Sequence, residues 1–559
     1  QDRSFRRYQN PLISSANLPY PVRSLQPRAQ SAPKRNDLGM FSHARIAAPA
    51  CAAFVAANRR ATALHPLRPD EKEWSYDTAN HHLPCNIDMY KILNLHADYG
   101  FPSARLGNPS VHEGADKSFY VGCDECVLAE VVRADKTSIV LDQRTAVSKE
   151  AIESGQRMTA FKRAGARKEI HFDPKQVRAA IVNCGGLCPG LNNVIKTVVE
   201  ELDIYGVDKV YGITGGYRGF HSTSEPDDPS DMWAPKLLTP ERVCNWHREG
   251  GSAISSARGG FDEAAIIAFL KRHGINQLFV LGGDGTHRGA YRLAKAVAEK
   301  NLNVAVCGIP KTIDNDIGLI DYSFGFRSAV SAAQVALASA AVEAKGNMPN
   351  GVGVVKLMGR SSGYIASYAT IANGSVDLCL VPEVPVELEG PRSCLKHLEH
   401  VVEQKGHAVV VVAEGAGEEM LGSTTEGAVD AGGNKKLPEI GPYMVKRIVE
   451  HFRALGKEAT VKYIDPSYTI RSVPANSDDA FYCHTLGSGA VHGVMAGFTG
   501  FSVGLVNNHT VMIPIPALVS KSPRTLRPEG RTWDRVVRIT GQPRYVPGPT
   551  LTEDKRVPE

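Results

Sequence analysis

The stretch Gln277-Leu-Phe-Val-Leu-Gly-Gly-Asp-Gly-Thr286 decides the fold. Gln277 to Leu281 is a short apolar run, read as a strand buried on both faces. It empties into Gly282-Gly283-Asp284-Gly285-Thr286, and Arg288 to Lys300 has helical spacing. Glycines there let backbone N–H groups approach phosphate oxygens, and the start of a helix favours anions. Asp284 in that loop is a natural magnesium ligand, because Mg²⁺ takes one or two carboxylates plus nucleotide phosphates.

The same unit repeats on both sides. Val177 to Val182, Lys209 to Thr214, Asn303 to Ile309, Val352 to Leu357 and Ala408 to Ala413 all read as buried strands, with helical stretches such as Asn192 to Tyr205 and Phe261 to His273 among them. Glycine or an acid sits just past most of these strands, where ligands bind in doubly wound folds. The expected class is therefore α/β, with two interleaved doubly wound, Rossmann-like domains behind a β-rich N-terminal lead-in. The expected divisions are 1–69 (a transit peptide or basic tail), 70–175 (an extension), 176–325 with 472–520 (one doubly wound domain), 326–471 with 521–545 (the other) and 546–559 (a tail). Glu414 to Gly433, rich in Gly and Thr, reads as a loop after a strand.

Further motifs lie at strand ends. Cys184-Gly-Gly-Leu-Cys-Pro-Gly190 follows the first strand, and Ser255-Ser-Ala-Arg-Gly-Gly260 offers a cation beside flexible backbone. Pro310-Lys-Thr-Ile-Asp-Asn-Asp316 holds two carboxylates with a hydroxyl and an amine, an arrangement that a cation or a proton transfer would use. Met358-Gly-Arg-Ser-Ser-Gly363 places a permanently charged planar fork, Arg360, at a strand end. Glu414 closes another strand, and Tyr468-Thr-Ile-Arg471 adds a hydroxyl and a guanidinium.

Taken in order, these motifs resemble the phosphofructokinase family over roughly residues 160 to 545, in particular its long plant and protist-like, ATP-dependent group. The resemblance implies transfer of a phosphoryl group from ATP to the 1-hydroxyl of fructose 6-phosphate, with 176–325 plus 472–520 as the ATP-binding domain and 326–471 plus 521–545 as the fructose 6-phosphate-binding domain. Gly186, Arg258 and Gly259 would line the ATP site, Gly283, Asp284, Gly285 and Thr286 would wrap the phosphates, and Asp284 would bind Mg²⁺. Thr312, Ile313 and Asp314 would hold the sugar, with Asp314 as the base. Met358, Gly359 and Arg360 would contact the sugar and the moving phosphoryl, Glu414 the sugar hydroxyls, and Tyr468 with Arg471 the 6-phosphate. Lys311 and Arg360 would share catalysis with Asp314.

Donor choice turns on Gly285 and Lys311. The pyrophosphate-using branch typically carries an Asp at the position of Gly285, where it would crowd an α-phosphate; Lys311 resembles that branch. The chain departs from bacterial members at Gly351, where they place an arginine reaching a neighbouring subunit's 6-phosphate, and at Glu200, where they place an effector-site cation. The family suggests a homotetramer. The competing readings are a pyrophosphate-dependent enzyme, a kinase of NAD or lipids, and a non-catalytic regulatory subunit.

Composition narrows the partners. Hydrophobic residues at 43% and charged ones at 22% fit an ordinary globular chain and argue against wholesale disorder. The net charge of +5 belongs to the N-terminus, since residues 1–69 hold 11 Lys/Arg against Asp2 and Asp37, leaving the rest slightly acidic. No nucleic-acid footprint is expected on the body. No run is long and apolar enough to span a bilayer, so no membrane partner is expected. The Ser-, Ala- and Arg-rich start suggests a plastid or mitochondrial address, with a cytoplasmic location as the alternative. Cys123 and Cys126 are read as incidental thiols.

Overall fold

The computed structural model describes residues 87–110, 119–122, 125–129, 131–133, 146–148, 158–421 and 437–545. The basic segment 1–69, Cys123, most of the Gly/Thr-rich stretch and the tail 546–559 lie outside them.

Two sheets organise the fold. Among the described residues the larger has ten strands, and its centre runs Lys209–Ile213, Arg178–Asn183, Gln277–Gly282, Ala305–Pro310, Phe501–Val506, all parallel. The smaller runs Leu378–Leu380, His407–Ala413, Gly351–Leu357, Val461–Ile464, also all parallel. Such strands are buried on both faces, and their alternating side chains divide between two cores. Ala179, Ile181, Phe279 and Leu281 pack on one side with the helices Leu191–Tyr205 and Ser477–Met495. Ala180, Val182, Leu278 and Val280 pack on the other with Glu263–His273 and Asp284–Glu299. In the smaller sheet Val355, Leu357 and Val411 face the helices Phe326–Gly346 and Tyr364–Asn373, while Val352, Val354, Val410 and Val412 face Cys394–Lys405 and Ile440–Ala454.

Each sheet has a place where chain connections leave in opposite directions, the position where doubly wound folds open a crevice. In the larger sheet it falls between Arg178–Asn183 and Gln277–Gly282. In the smaller it falls between Gly351–Leu357 and His407–Ala413, whose connecting helices lie on opposite faces.

The lead-in is β-rich, and three of its strands, Ile87–Met89, Cys126–Leu128 and Met158–Arg163, hydrogen-bond into the larger sheet rather than forming a sheet of their own. Their alternation is too short to reveal a partner so distant in sequence. One boundary also moves with consequence. The helix expected from Arg288 begins at Asp284, so Asp284, Gly285 and Thr286 form its first turn and Gly283 alone links it to the strand.

Candidate active site

Gly283 caps that helix with no side-chain acceptor, which leaves the first-turn N–H groups of residues 284–286 without intrahelical partners and aimed at any anion beyond the strand end. Beneath it the imidazole of buried His287 meets the carbonyl of Gly283 through Nδ1 at 3.0 Å and Ser502 Oγ through Nε2 at 2.9 Å. Burial lowers the pKa of His287, against the hydrogen bond to Gly283 and the Asp284 carboxylate, which favours the neutral ring. Sequence reading missed His287; the hint was Gly308, where a Cβ would lie 2.6 Å from its ring.

Strand pairing brings the second motif alongside. Gly282 and Pro310 are register partners, and Lys311 N donates to Gly282 O at 3.0 Å. The Lys311 side chain, 6% exposed, donates to Gly186 O at 2.5 Å. Desolvation lowers its pKa, as do the neighbouring guanidinium groups of Arg258 and Arg471, despite the opposing effect of Cys188 and Cys184. The loop carrying Gly186 is tied to the loop carrying Arg258 by Gly185 N to Ala257 O at 3.0 Å and Ser256 Oγ to Gly185 O at 2.6 Å. Gly185 has φ +92°, a region where a side chain is strained, and a Cβ there would also press on Lys311 Nζ at 3.3 Å.

The smaller sheet supplies the opposite wall. Glu414 N donates to Leu357 O at 2.9 Å and Gly415 N to Gly359 O at 3.1 Å, so the loops bearing Arg360 and Glu414 run side by side. Gly359, at φ +136°, makes a turn in which a Cβ would lie 2.5 Å from Ser362 O. Ser362 Oγ then reaches across to donate to Asp314 O at 2.9 Å, joining the two walls.

Asp314 sits where they meet. Burial, and then the carboxylates of Asp316 and Glu414, push its pKa up to about 7, against the pull of Arg360 and Lys311. Its Oδ1 is buried with no hydrogen-bond partner among the described residues. Asp316 is also raised, first by burial, with the Asp284 carboxylate contributing, while a hydrogen bond from Thr312 opposes the shift. Asp284 Oδ2 accepts from Arg288 Nη2 at 2.8 Å, and its Oδ1 is buried without a partner among the described residues. Two mutually repelling carboxylates, one with an orphaned oxygen, suit a divalent cation. Among the described residues no cluster of three or more acidic, His or Cys side chains could hold a metal alone, so phosphate oxygens would complete the shell.

Three expected residues behave differently from their neighbours. The side chain of Ile313 is in the hydrophobic core, 7% exposed. Tyr468 is 74% exposed and lies 4.8 Å below the guanidinium of Arg471. Arg471 Nη1 lies 3.6 Å, and Arg258 Nη2 3.9 Å, from where a Cβ on Gly186 would be, so the two guanidinium groups converge on the Gly186 loop. Outside the cleft, Glu200 pairs with Lys196 at 2.5 Å and neutralises it.

The phosphofructokinase family model matches residues 178–494, which span both crevices. The chain belongs to the phosphofructokinase family. It is 46% identical to the protein named ATP-dependent 6-phosphofructokinase 5, chloroplastic, of Arabidopsis thaliana, over 69% of this chain and 69% of that one. It is 42% identical to the ATP-dependent 6-phosphofructokinase of Amycolatopsis methanolica, over 74% of this chain and 92% of that one. The pyrophosphate-dependent phosphofructokinase of Marinobacter aquaeolei, 19% identical with a TM-score of 0.53, shares the fold over 66% of this chain and 93% of that one. Within this phosphofructokinase no described helix is long and apolar enough to cross a membrane, and the described cysteines, Cys126 included, are free.

Proposed function

We propose that the chain is an ATP-dependent 6-phosphofructokinase, transferring the γ-phosphoryl of Mg-ATP to the 1-hydroxyl of fructose 6-phosphate to give fructose 1,6-bisphosphate and ADP. The observation that carries this reading is Asp314. It is a cleft carboxyl poised near neutrality, flanked by Arg360 and Lys311 and one strand from a helix start built for phosphates. Asp314 takes the proton of the 1-hydroxyl, the freed oxygen bonds to the γ-phosphorus, and the bond from that phosphorus to the β–γ bridging oxygen breaks. Arg360 and Lys311 balance the charge on the moving group, and most of the acceleration is positioning, as expected for a loose transition state.

Gly186, Arg258, Gly259, Gly283, Gly285 and Thr286 line the ATP phosphates in this reading. Asp284, with Asp316 near it, would hold Mg²⁺, which neutralises phosphate charge when bound. Thr312, the Ile313 backbone, Met358, Gly359 and Glu414 hold the sugar, and Tyr468 with Arg471 the 6-phosphate. The position of Arg471 beside Arg258 and Lys311 supports a further contact of Arg471 with the transferred phosphoryl.

The deciding test is a coupled assay with fructose 6-phosphate and, in turn, ATP and pyrophosphate. Turnover confined to ATP is expected; turnover confined to pyrophosphate, or none with either, refutes the reading. In the ATP assay the acid limb of kcat/KM should fall near pH 7. The base must be ionised, so below the raised pKa of Asp314 activity drops about tenfold per pH unit. A limb confined below about pH 5, where an unperturbed carboxylate titrates, contradicts the assignment of Asp314.

A homotetramer is part of the proposal, by family resemblance, and is checked by the mass of the protein in solution. A plastid location is proposed from the acid-poor basic segment 1–69, together with the chloroplastic naming of Arabidopsis thaliana relatives. A fluorescent fusion of that segment tests it.

A further inference from the structure

Arg524 lies some two hundred residues beyond the catalytic motif, yet its guanidinium is used on that motif's backbone. Nε and Nη2 donate to Asn315 O at 3.2 and 2.9 Å, and Nη1 to Ile320 O at 2.9 Å. Its own N–H donates to Asp316 O at 2.6 Å. Asn315 stands between the two cleft carboxylates with φ +58°, and its Oδ1 accepts from Ser323 N at 3.0 Å. A left-handed residue other than glycine persists only where its surroundings over-determine it, and the fork of Arg524 on the Asn315 carbonyl is one such constraint.

The same short segment also grips the opposite wall. The guanidinium of Arg524 lies 5.0 Å from the centre of the Tyr364 ring, and Tyr364 OH donates to Thr525 O at 3.0 Å. Leu526 N donates to Glu383 Oε1 at 2.7 Å, and both oxygens of Glu383 accept from Gly363 N at 3.0 Å. Gly363 ends the loop that carries Arg360. At the other end of the segment Gly318 N donates to Ser522 Oγ at 2.9 Å, with the backbones so close that a Cβ on Gly318 would lie 2.1 Å from Lys521 O.

We propose that Lys521 to Leu526 is a strap that fixes Asp314 relative to Arg360 across the two walls, with Arg524 and Glu383 as its positioning residues. The inference rests on the roles given above to Asp314 and Arg360. Neither positioning residue needs to touch substrate. Each holds backbone, so its loss leaves binding groups present and shifts reacting groups by a fraction of an ångström or more, to which phosphoryl transfer is sensitive.

The test compares Arg524→Lys, Arg524→Gln and Glu383→Gln with the parent enzyme, measuring folded fraction, kcat, and KM for ATP and fructose 6-phosphate. Per folded molecule, kcat should fall about 100-fold in Arg524→Gln and about tenfold in Arg524→Lys, which keeps one donor group, with each KM within about threefold. Glu383→Gln should lower kcat about tenfold, because an amide retains only one acceptor oxygen for Gly363 and Leu526. If Arg524→Gln does not fold, Arg524→Lys and Glu383→Gln decide the question by the same comparison with the parent. Unchanged kcat per folded molecule, or losses explained by folded fraction alone, overturns the strap. An inactive parent overturns the assigned reaction and the strap with it, whereas an active parent with unaltered variants overturns only the strap.

Discussion

Asp314→Ser is expected to leave the fold intact and lower kcat about 1000-fold at about pH 8, the scale set by loss of a positioned general base. The fold should survive because the local bonds of Asp314 are made by its backbone, with N donating to Thr312 Oγ1 at 3.2 Å and O accepting from Ser362 Oγ at 2.9 Å. Its side chain adds strain rather than support. Its pKa is raised, so the folded state disfavours the carboxylate, and ionising it weakens folding as pH climbs from the unfolded value near 4 to about 7. The variant should therefore melt no lower than the parent at pH 8, and both KM values should change little. A turnover within tenfold of the parent, with a normal melting temperature, would remove Asp314 as the base.

Gly285→Asp is expected to lower kcat/KM for ATP about 100-fold. A Cβ at Gly285 meets nothing within 4 Å, so the protein itself has room for the side chain and the loss would come from the ligand. The new carboxylate would stand in the first helical turn next to Asp284, where the donor phosphates are proposed to bind, and repel them as well as crowd the α-phosphate. Two unit charges about 4 Å apart in a partly wet site interact by about 4 kcal/mol, so 100-fold allows for cation screening. Gly285→Ala is the control: it adds bulk without charge and should change kcat/KM by less than about fivefold. Equal ATP kinetics in Gly285→Asp and parent would defeat the donor argument.

Much of the fold was legible because parallel strands buried on both faces read as continuous apolar runs. Gln277–Gly282 and His407–Ala413 each lie within a residue of the expected bounds. The lead-in was not legible in this way: Ile87–Met89 and Cys126–Leu128 are three-residue strands whose only strong signal is the partner Met158–Arg163. The helix start at Asp284 was also missed, because two glycines lower local helix propensity while the strand end and buried His287 hold the turn in place.

In the site, motif chemistry pointed to the phosphate turn, the paired aspartates and Arg360, since glycine at a strand end and like charges close in sequence each carry a local physical cost. No such local mark distinguishes Glu383 or Arg524, whose importance lies in reaching backbone carbonyl and N–H groups on other segments. The buried position of Ile313 and the convergence of Arg471 with Arg258 on Gly186 were equally hidden.

Sequence alone thus determined the α/β class, the order of the strands' chemical cargo and the family, because burial on both faces and residue type are written locally along the chain. Only the tertiary structure decided that the Asp314 carboxyl sits near neutrality, that Lys311 points at Gly186, and that a strap from the far end of the chain joins the two walls. Those properties depend on desolvation and on distances between segments, and neither is a function of sequence neighbours.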